Sequence, residues 1–125
     1  IAPPASVEER AKLDEWLSFI YGELDETSLY VLRRHEALAS IYGEAPGAIE
    51  AARAYFRKQV AVADKHLRDN QFLVNNKFGV SDVFLTTCLG WAVSCGIDLT
   101  GNLESYQKRM TDRSAYQAAK AQNTK

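Results

Sequence analysis

Apolar residues recur along this chain at intervals of three and four, the spacing that lines up side chains on one face of a helix. Leu13, Leu17, Ile20 and Leu24 form the first such stripe, and Trp16 and Phe19 widen it. Ser6 with Glu9 three positions later has capping-box spacing, so the first helix is expected to start near Ser6. Its pattern extends past Leu32. Gly22 inside it weakens the helix by up to about 1 kcal/mol relative to alanine and suggests a close helix contact or a bend. The stretch from His35 to Gly43 is less regular. Gly43 and Pro46 bracket a break, and proline suits the first turn of the helix that follows. That second helix is expected to run to about Asp69. Ile49, Ala52, Phe56, Val60, Ala63 and Leu67 form its buried stripe, with Glu50, Arg53, Arg57, Lys58 and Asp64 mostly off it.

A third helix is expected after Gly79, with no charge between Asp82 and Asp98. A helix apolar on nearly every face is expected to be buried on nearly every face, and Gly96 fits its end. Two short helices follow, one marked by Leu103, Tyr106 and Met110, the other by Ala115, Ala118 and Ala119. No sustained two-residue alternation and no Asn-Gly hairpin signal appears. The pattern predicts an all-α bundle of about five helices around one buried central helix.

Composition narrows the function. The chain has 125 residues, suited to one compact domain, and is 46% hydrophobic and 25% charged. Its formal charge of −1 lacks the basic excess of nucleic-acid binders, so no nucleic-acid partner is expected. The longest uncharged stretch, Val83 to Ile97, falls short of the about 20 residues a bilayer span needs, so no membrane partner is expected. Cys88 and Cys95 form no Cys-x-x-Cys motif and read as reduced, buried thiols of a cytoplasmic protein. His35 and His66 read as surface residues beside basic neighbours, and no metal site is expected. Residues 1–5, without a basic-then-apolar signal, read as a linker remnant, 6–122 as one helical domain and 123–125 as a tail.

The segment Phe78-Gly79-Val80-Ser81-Asp82-Val83 carries the most information. Gly79 is the expected cap, and the carboxylate of Asp82 can reach back to its N–H. Phe78 can pack on Val83 as a hydrophobic staple. A buried helix start needs its free N–H groups satisfied, which explains an acid at the head of an apolar helix.

This arrangement resembles the C-terminal domain of glutathione S-transferases, whose core helix starts with a capping box and staple. The likeness spans nearly the whole chain and is nearest to the bacterial beta-type enzymes. Arg10 to Leu24 looks like their first helix of this domain, Val80 to Leu99, with Leu89-Gly90-Trp91-Ala92, like their core helix, and Tyr106 to Ala119 like their last two helices. The chain also departs from the pattern. Gly79 replaces a serine or threonine cap, and Ser114 stands where proline is common. Ser18 replaces an asparagine, Glu23 matches, and Asp25-Glu26 replace a His-Lys pair near the glutathione. Two acids there disfavour an anionic ligand nearby.

The resemblance implies a parent enzyme that attacks small hydrophobic electrophiles with the glutathione thiolate. The thioredoxin-like N-terminal domain that holds glutathione as co-substrate is absent from these residues. This part alone is expected to be inactive. It would supply one wall of the electrophile pocket and part of a homodimer interface, with no tightly bound cofactor. Tyr30, Arg34 and Trp91 are the candidate substrate contacts, and Ser18, Glu23, Asp25 and Glu26 lie near glutathione by resemblance. Tyr30 and Arg34 share a face, and either line the pocket or simply cover the surface. Trp91 is either pocket wall or plain core, and Asp25 and Glu26 either ligand contacts or solvated acids. Gly79 and Asp82 are assigned to helix capping. The alternative is a non-catalytic interaction module of the same fold.

Overall fold

A computed structural model describes residues 1–123, so residues 124 and 125 of the expected tail lie outside the described residues. The first helical rod starts at α1 (Val7–Phe19). Ser6 Oγ accepts the Glu9 N–H at 3.1 Å, while the Glu9 carboxylate reaches past the cap to the Ala5 N–H at 2.8 Å. The rod then widens into π-helical turns over Ile20–Leu29 (π1), narrows at α2 (Tyr30–Leu32) and widens again over Arg33–Ala37 (π2). In π1 the hydroxyls of Thr27 and Ser28 donate to the carbonyls of Gly22 and Glu23, five residues back, at 2.6 and 3.0 Å. Those bonds run parallel to the i→i−5 backbone pattern that defines the wider helix. A Cβ at Gly22 would meet nothing within 4 Å, so this glycine marks no close helix contact.

The short α3 (Ala39–Tyr42) leads through Gly43 into α4 (Pro46–Leu67), with Pro46 in its first turn. Ala52, Phe56, Val60, Ala63 and Leu67 are buried along one stripe of α4, and Ile49 packs at its edge. The helix stops at Leu67 rather than near Asp69, because the Asn70 side chain takes the His66 carbonyl at 2.9 Å. The loop up to Gly79 turns at Asn75 and Asn76, both with positive φ, a conformation asparagine tolerates well. Then come α5 (Val80–Ser94), α6 (Asn102–Thr111) and α7 (Ser114–Asn123). Five rods and one short turn thus make an all-helical bundle. Among the described residues the nearest thing to a sheet is an isolated Val74–Lys77 bridge.

The core gathers Ile20, Leu24 and Leu29 of π1, Leu32, the α4 stripe, Leu85, Leu89 and Ala92 of α5, and Leu103, Tyr106 and Met110 of α6. Distant side chains pin the helix ends. Asp64 on α4 accepts the N–H groups of Asn102 and Leu103 at 3.0 and 3.3 Å and so caps α6 from outside. Arg53 on α4 holds both oxygens of Glu36 in π2, at 2.8 and 2.9 Å, and donates to the carbonyl of Cys95 past the end of α5.

α5 lies at the centre but is not covered all round. Its buried face carries Ser81, Asp82, Leu85, Thr86, Cys88, Leu89 and Ala92. Val83 is 41% exposed, Phe84 46% and Val93 53%. Lack of charge therefore marks two faces of different kinds, one packed in this domain and one open along Val83, Phe84 and Thr87, while Val93 is exposed in the last turn on the other side. His66 also departs from the surface reading. It is half-buried, its ring edge-on to Trp16 at 5.0 Å and Nε2 3.3 Å from the Phe72 carbonyl. Lys65 points elsewhere because adjacent helical residues lie on different faces.

Candidate functional site

The head of α5 is organised by one carboxylate. Asp82 is fully buried. Its Oδ2 accepts the Gly79 N–H at 2.9 Å, and its Oδ1 accepts the Leu73 N–H at 3.1 Å and the Tyr106 hydroxyl at 2.8 Å. Thr86 Oγ1 donates to the Asp82 carbonyl at 2.6 Å. One side chain thus joins the start of α5, the preceding loop and α6. Burial pushes the Asp82 carboxyl above its ordinary value, against the pull of its three donors. The reciprocal half of a capping box is missing, because glycine has no side-chain oxygen to offer. Gly79 has extended backbone, and a Cβ there would meet only ordinary contacts at 3.9 Å, so space alone does not require glycine. Before it, the Phe78 ring lies edge-on to Phe72 at 6.1 Å, and the Arg113 guanidinium sits 3.7 Å from its centre.

The side chains singled out near the first rod do not converge. Ser18 is exposed on α1. Glu23 turns to α4, where its carboxylate accepts the Tyr55 hydroxyl, and this bond raises the Tyr55 phenol above its ordinary range. Asp25 is half-buried, and its charge is felt at Cys88 on α5. Burial first, and then the Glu26 charge, raise its carboxyl. Glu26 is exposed and accepts from Tyr21 at 3.4 Å. No side-chain hydrogen bond joins any two of these four residues. Cys88 is buried, its thiol pushed up to about 12 by burial and by the charge of Asp25, which leaves it protonated and inert at neutral pH. Cys95 is only half-buried, and both cysteines are free, so just one of the two matches the buried-thiol expectation.

Tyr30 and Arg34 do meet. The Arg34 guanidinium lies 5.8 Å from the centre of the Tyr30 ring and 4.7 Å from that of Tyr42. Both tyrosines are exposed. Trp91 is half-buried on α5, where it packs against the core, one turn ahead of the Cys95 carbonyl held by Arg53. Among the described residues no group of three His, Cys, Asp or Glu side chains could hold a metal ion, and no helix is long and apolar enough to cross a membrane. Sequence reasoning missed Tyr42, Arg53 and Leu73. None lies within helical reach of its partner, so spacing gave no signal.

An all-helical bundle with a carboxylate-locked core helix and an open apolar face on that helix defines a domain of the transferase C-terminal type. The family model for the glutathione S-transferase C-terminal domain matches residues 46–121. The chain belongs to that family. It is 26% identical over 123 residues to the glutathione S-transferase GstA of Escherichia coli O157:H7, covering 95% of this chain and 56% of that protein. The solved glutathione S-transferase of Xylella fastidiosa superposes with a TM-score of 0.80 at 26% identity, over 91% of this chain and 56% of the other. The bacterial beta class enzyme of Sphingomonas chungbukensis gives 0.77 at 28% identity, over 94% and 56%. The chain therefore spans about half the length of the relatives it matches.

Proposed function

We propose that this domain is the co-substrate half of a glutathione-conjugating enzyme and works docked to a thioredoxin-like half that binds glutathione. The observation that carries the reading is the open face of α5. A helix that a single domain were to bury fully would not leave Val83, Phe84 and Thr87 exposed along one side. A groove of about 440 Å³, lined among others by Val83, Thr87, Met110, Tyr116 and Ala119, continues this face between α5, α6 and α7. The fraction of each relative left unmatched has room for a second small domain to cover it.

In this reading the partner half holds the glutathione thiolate, and Tyr30, Arg34 and Trp91 form one wall for a hydrophobic electrophile. Gly79 and Asp82 hold the core helix in place behind that wall. The helical domain starts at the Ser6 cap and runs through α7, which ends at Asn123. The parent is a cytoplasmic homodimer with part of its two-fold contact on the first rod. Ser18, Glu23, Asp25 and Glu26 border the glutathione side. Because Asp25 and Glu26 place negative charge there, and Glu23 is spent on Tyr55, glutathione must be held mainly by the other half. The same acids favour a second reading, a non-catalytic interaction module.

The full-length gene product tests the assignment. Tyr30→Ala and Trp91→Ala are expected to raise KM for a chloronitroaromatic electrophile by roughly tenfold each, with KM for glutathione nearly unchanged. Absence of conjugation by the full-length protein would favour the module, and unchanged kinetics in both variants would remove these residues from the pocket.

A further inference from the structure

The turn that ends the first rod carries two arginines without a carboxylate. Arg33 and Arg34 are exposed, and among the described residues neither forms an ion pair. The nearby acids are engaged or apart. Glu36 gives both oxygens to Arg53, Glu26, four residues before Tyr30, accepts from Tyr21, and Glu44, two residues past Tyr42, pairs with neither arginine. Tyrosine rings flank the charge instead. Arg34 rests 4.7 Å from the centre of Tyr42 and 5.8 Å from Tyr30, and Arg33 lies 5.9 Å from Tyr30. His35 Nδ1 lies 3.0 Å from the Gly43 carbonyl, and Gly43 has φ +85°, a conformation other residues adopt only with strain. The break at Leu38, whose φ of −114° and ψ of 26° separate π2 from α3, brings Tyr42 back over Arg34.

Cations at a helix end offset the negative ends of the carbonyl dipoles, which accounts for basic residues here. It accounts neither for the flanking rings nor for the missing acid partner. A guanidinium resting on aromatic faces keeps its in-plane N–H fork available, with less side-chain freedom left to lose on binding. The fork matches a carboxylate or sulfonate, and the exposed rings match an aromatic body. We propose that Tyr30, Arg33, Arg34 and Tyr42 form a binding site for an aromatic anion, whose oxyanion sits on the guanidinium groups and whose ring lies against the tyrosines. The parent enzyme's co-substrates are then aromatic electrophiles that carry a carboxylate or sulfonate. This second step rests on the pocket reading of Tyr30 and Arg34 given above, whereas the binding site itself does not.

The test titrates this chain with naphthalenesulfonate and with its neutral sulfonamide, followed by calorimetry. The sulfonate is expected to bind at least about tenfold more tightly, with a preference that weakens as salt rises. Arg34→Gln should abolish the preference, and Tyr42→Ala should weaken both ligands. Because these side chains are exposed, the variants are expected to keep the wild-type melting temperature. Equal affinity for the two ligands, or a sulfonate preference that survives the Arg33→Gln/Arg34→Gln double variant, would overturn the site. In the full-length gene product, Arg34→Gln should lower kcat/KM for a chloronitrobenzoate about tenfold relative to its neutral amide. An unchanged ratio overturns the co-substrate class, and failure to conjugate even the neutral amide counts against the glutathione reading while leaving the anion site standing.

Discussion

Asp82→Ala is expected to destabilise the chain by about 2–4 kcal/mol, a fall in Tm of roughly 10 °C. The carboxylate takes three donors from three segments: the Gly79 N–H, the Leu73 N–H and the Tyr106 hydroxyl. Its removal leaves the buried Leu73 N–H and the half-buried Gly79 N–H without a partner, and the Tyr106 hydroxyl with only the long contact of 3.4 Å to the Asp82 carbonyl. Loss of an exposed helix cap alone would cost nearer 1 kcal/mol, so the size of the effect separates a local cap from a three-way tie. Asp82→Asn should rescue it only in part, because the amide keeps one oxygen to accept the Leu73 N–H and the Tyr106 hydroxyl but turns an NH2 toward the Gly79 N–H. Relief of the charge's burial cost works in the opposite direction, since the fold raises the Asp82 carboxyl. Thermal melts of both variants beside Tyr106→Phe measure the balance. A Tm within about 1 °C of wild type for Asp82→Ala would refute the tie.

Val83→Asp with Phe84→Asp should produce the opposite pattern. Both side chains lie on the open face of α5, 41% and 46% exposed, so the isolated chain should lose less than about 1 kcal/mol. In the full-length gene product the same two charges would be buried against an apolar partner surface without counter-ions. The expected cost to domain docking is several kcal/mol, seen as a lowered Tm and a loss of most conjugating activity. Equal small effects in the chain and in the full-length protein would mean that this face stays in water. A large loss in the isolated chain would mean that it is core.

The helices that make their own case were readable from spacing. The α4 stripe from Ala52 to Leu67 needs only an apolar residue every three or four positions, and it is buried as one face. α5 was half readable. The absence of charge shows that water is excluded, but not whether this chain or another surface excludes it, and Val83 and Phe84 proved open. The π-helical turns left no trace in the pattern, because Thr27 and Ser28 are equally ordinary in an α-helix. Long-range ties were invisible for the same reason that they matter. Asp64 meets Asn102, and Arg53 meets Glu36 and Cys95, only after the bundle has closed. In the candidate anion site, Tyr30 and Arg34 share a helical face and could be paired by eye. Tyr42 joins them through the break at Leu38, a residue whose type gives no turn signal in the sequence.

The division of labour between two halves is tested most directly by assaying the purified 125-residue chain for glutathione conjugation, beside the full-length gene product. The chain alone should fold, melt cooperatively and give no turnover above the uncatalysed rate, while the full-length protein turns over. Conjugation by the chain alone, at a rate near that of the full-length protein, would contradict the placement of the chemistry outside this domain.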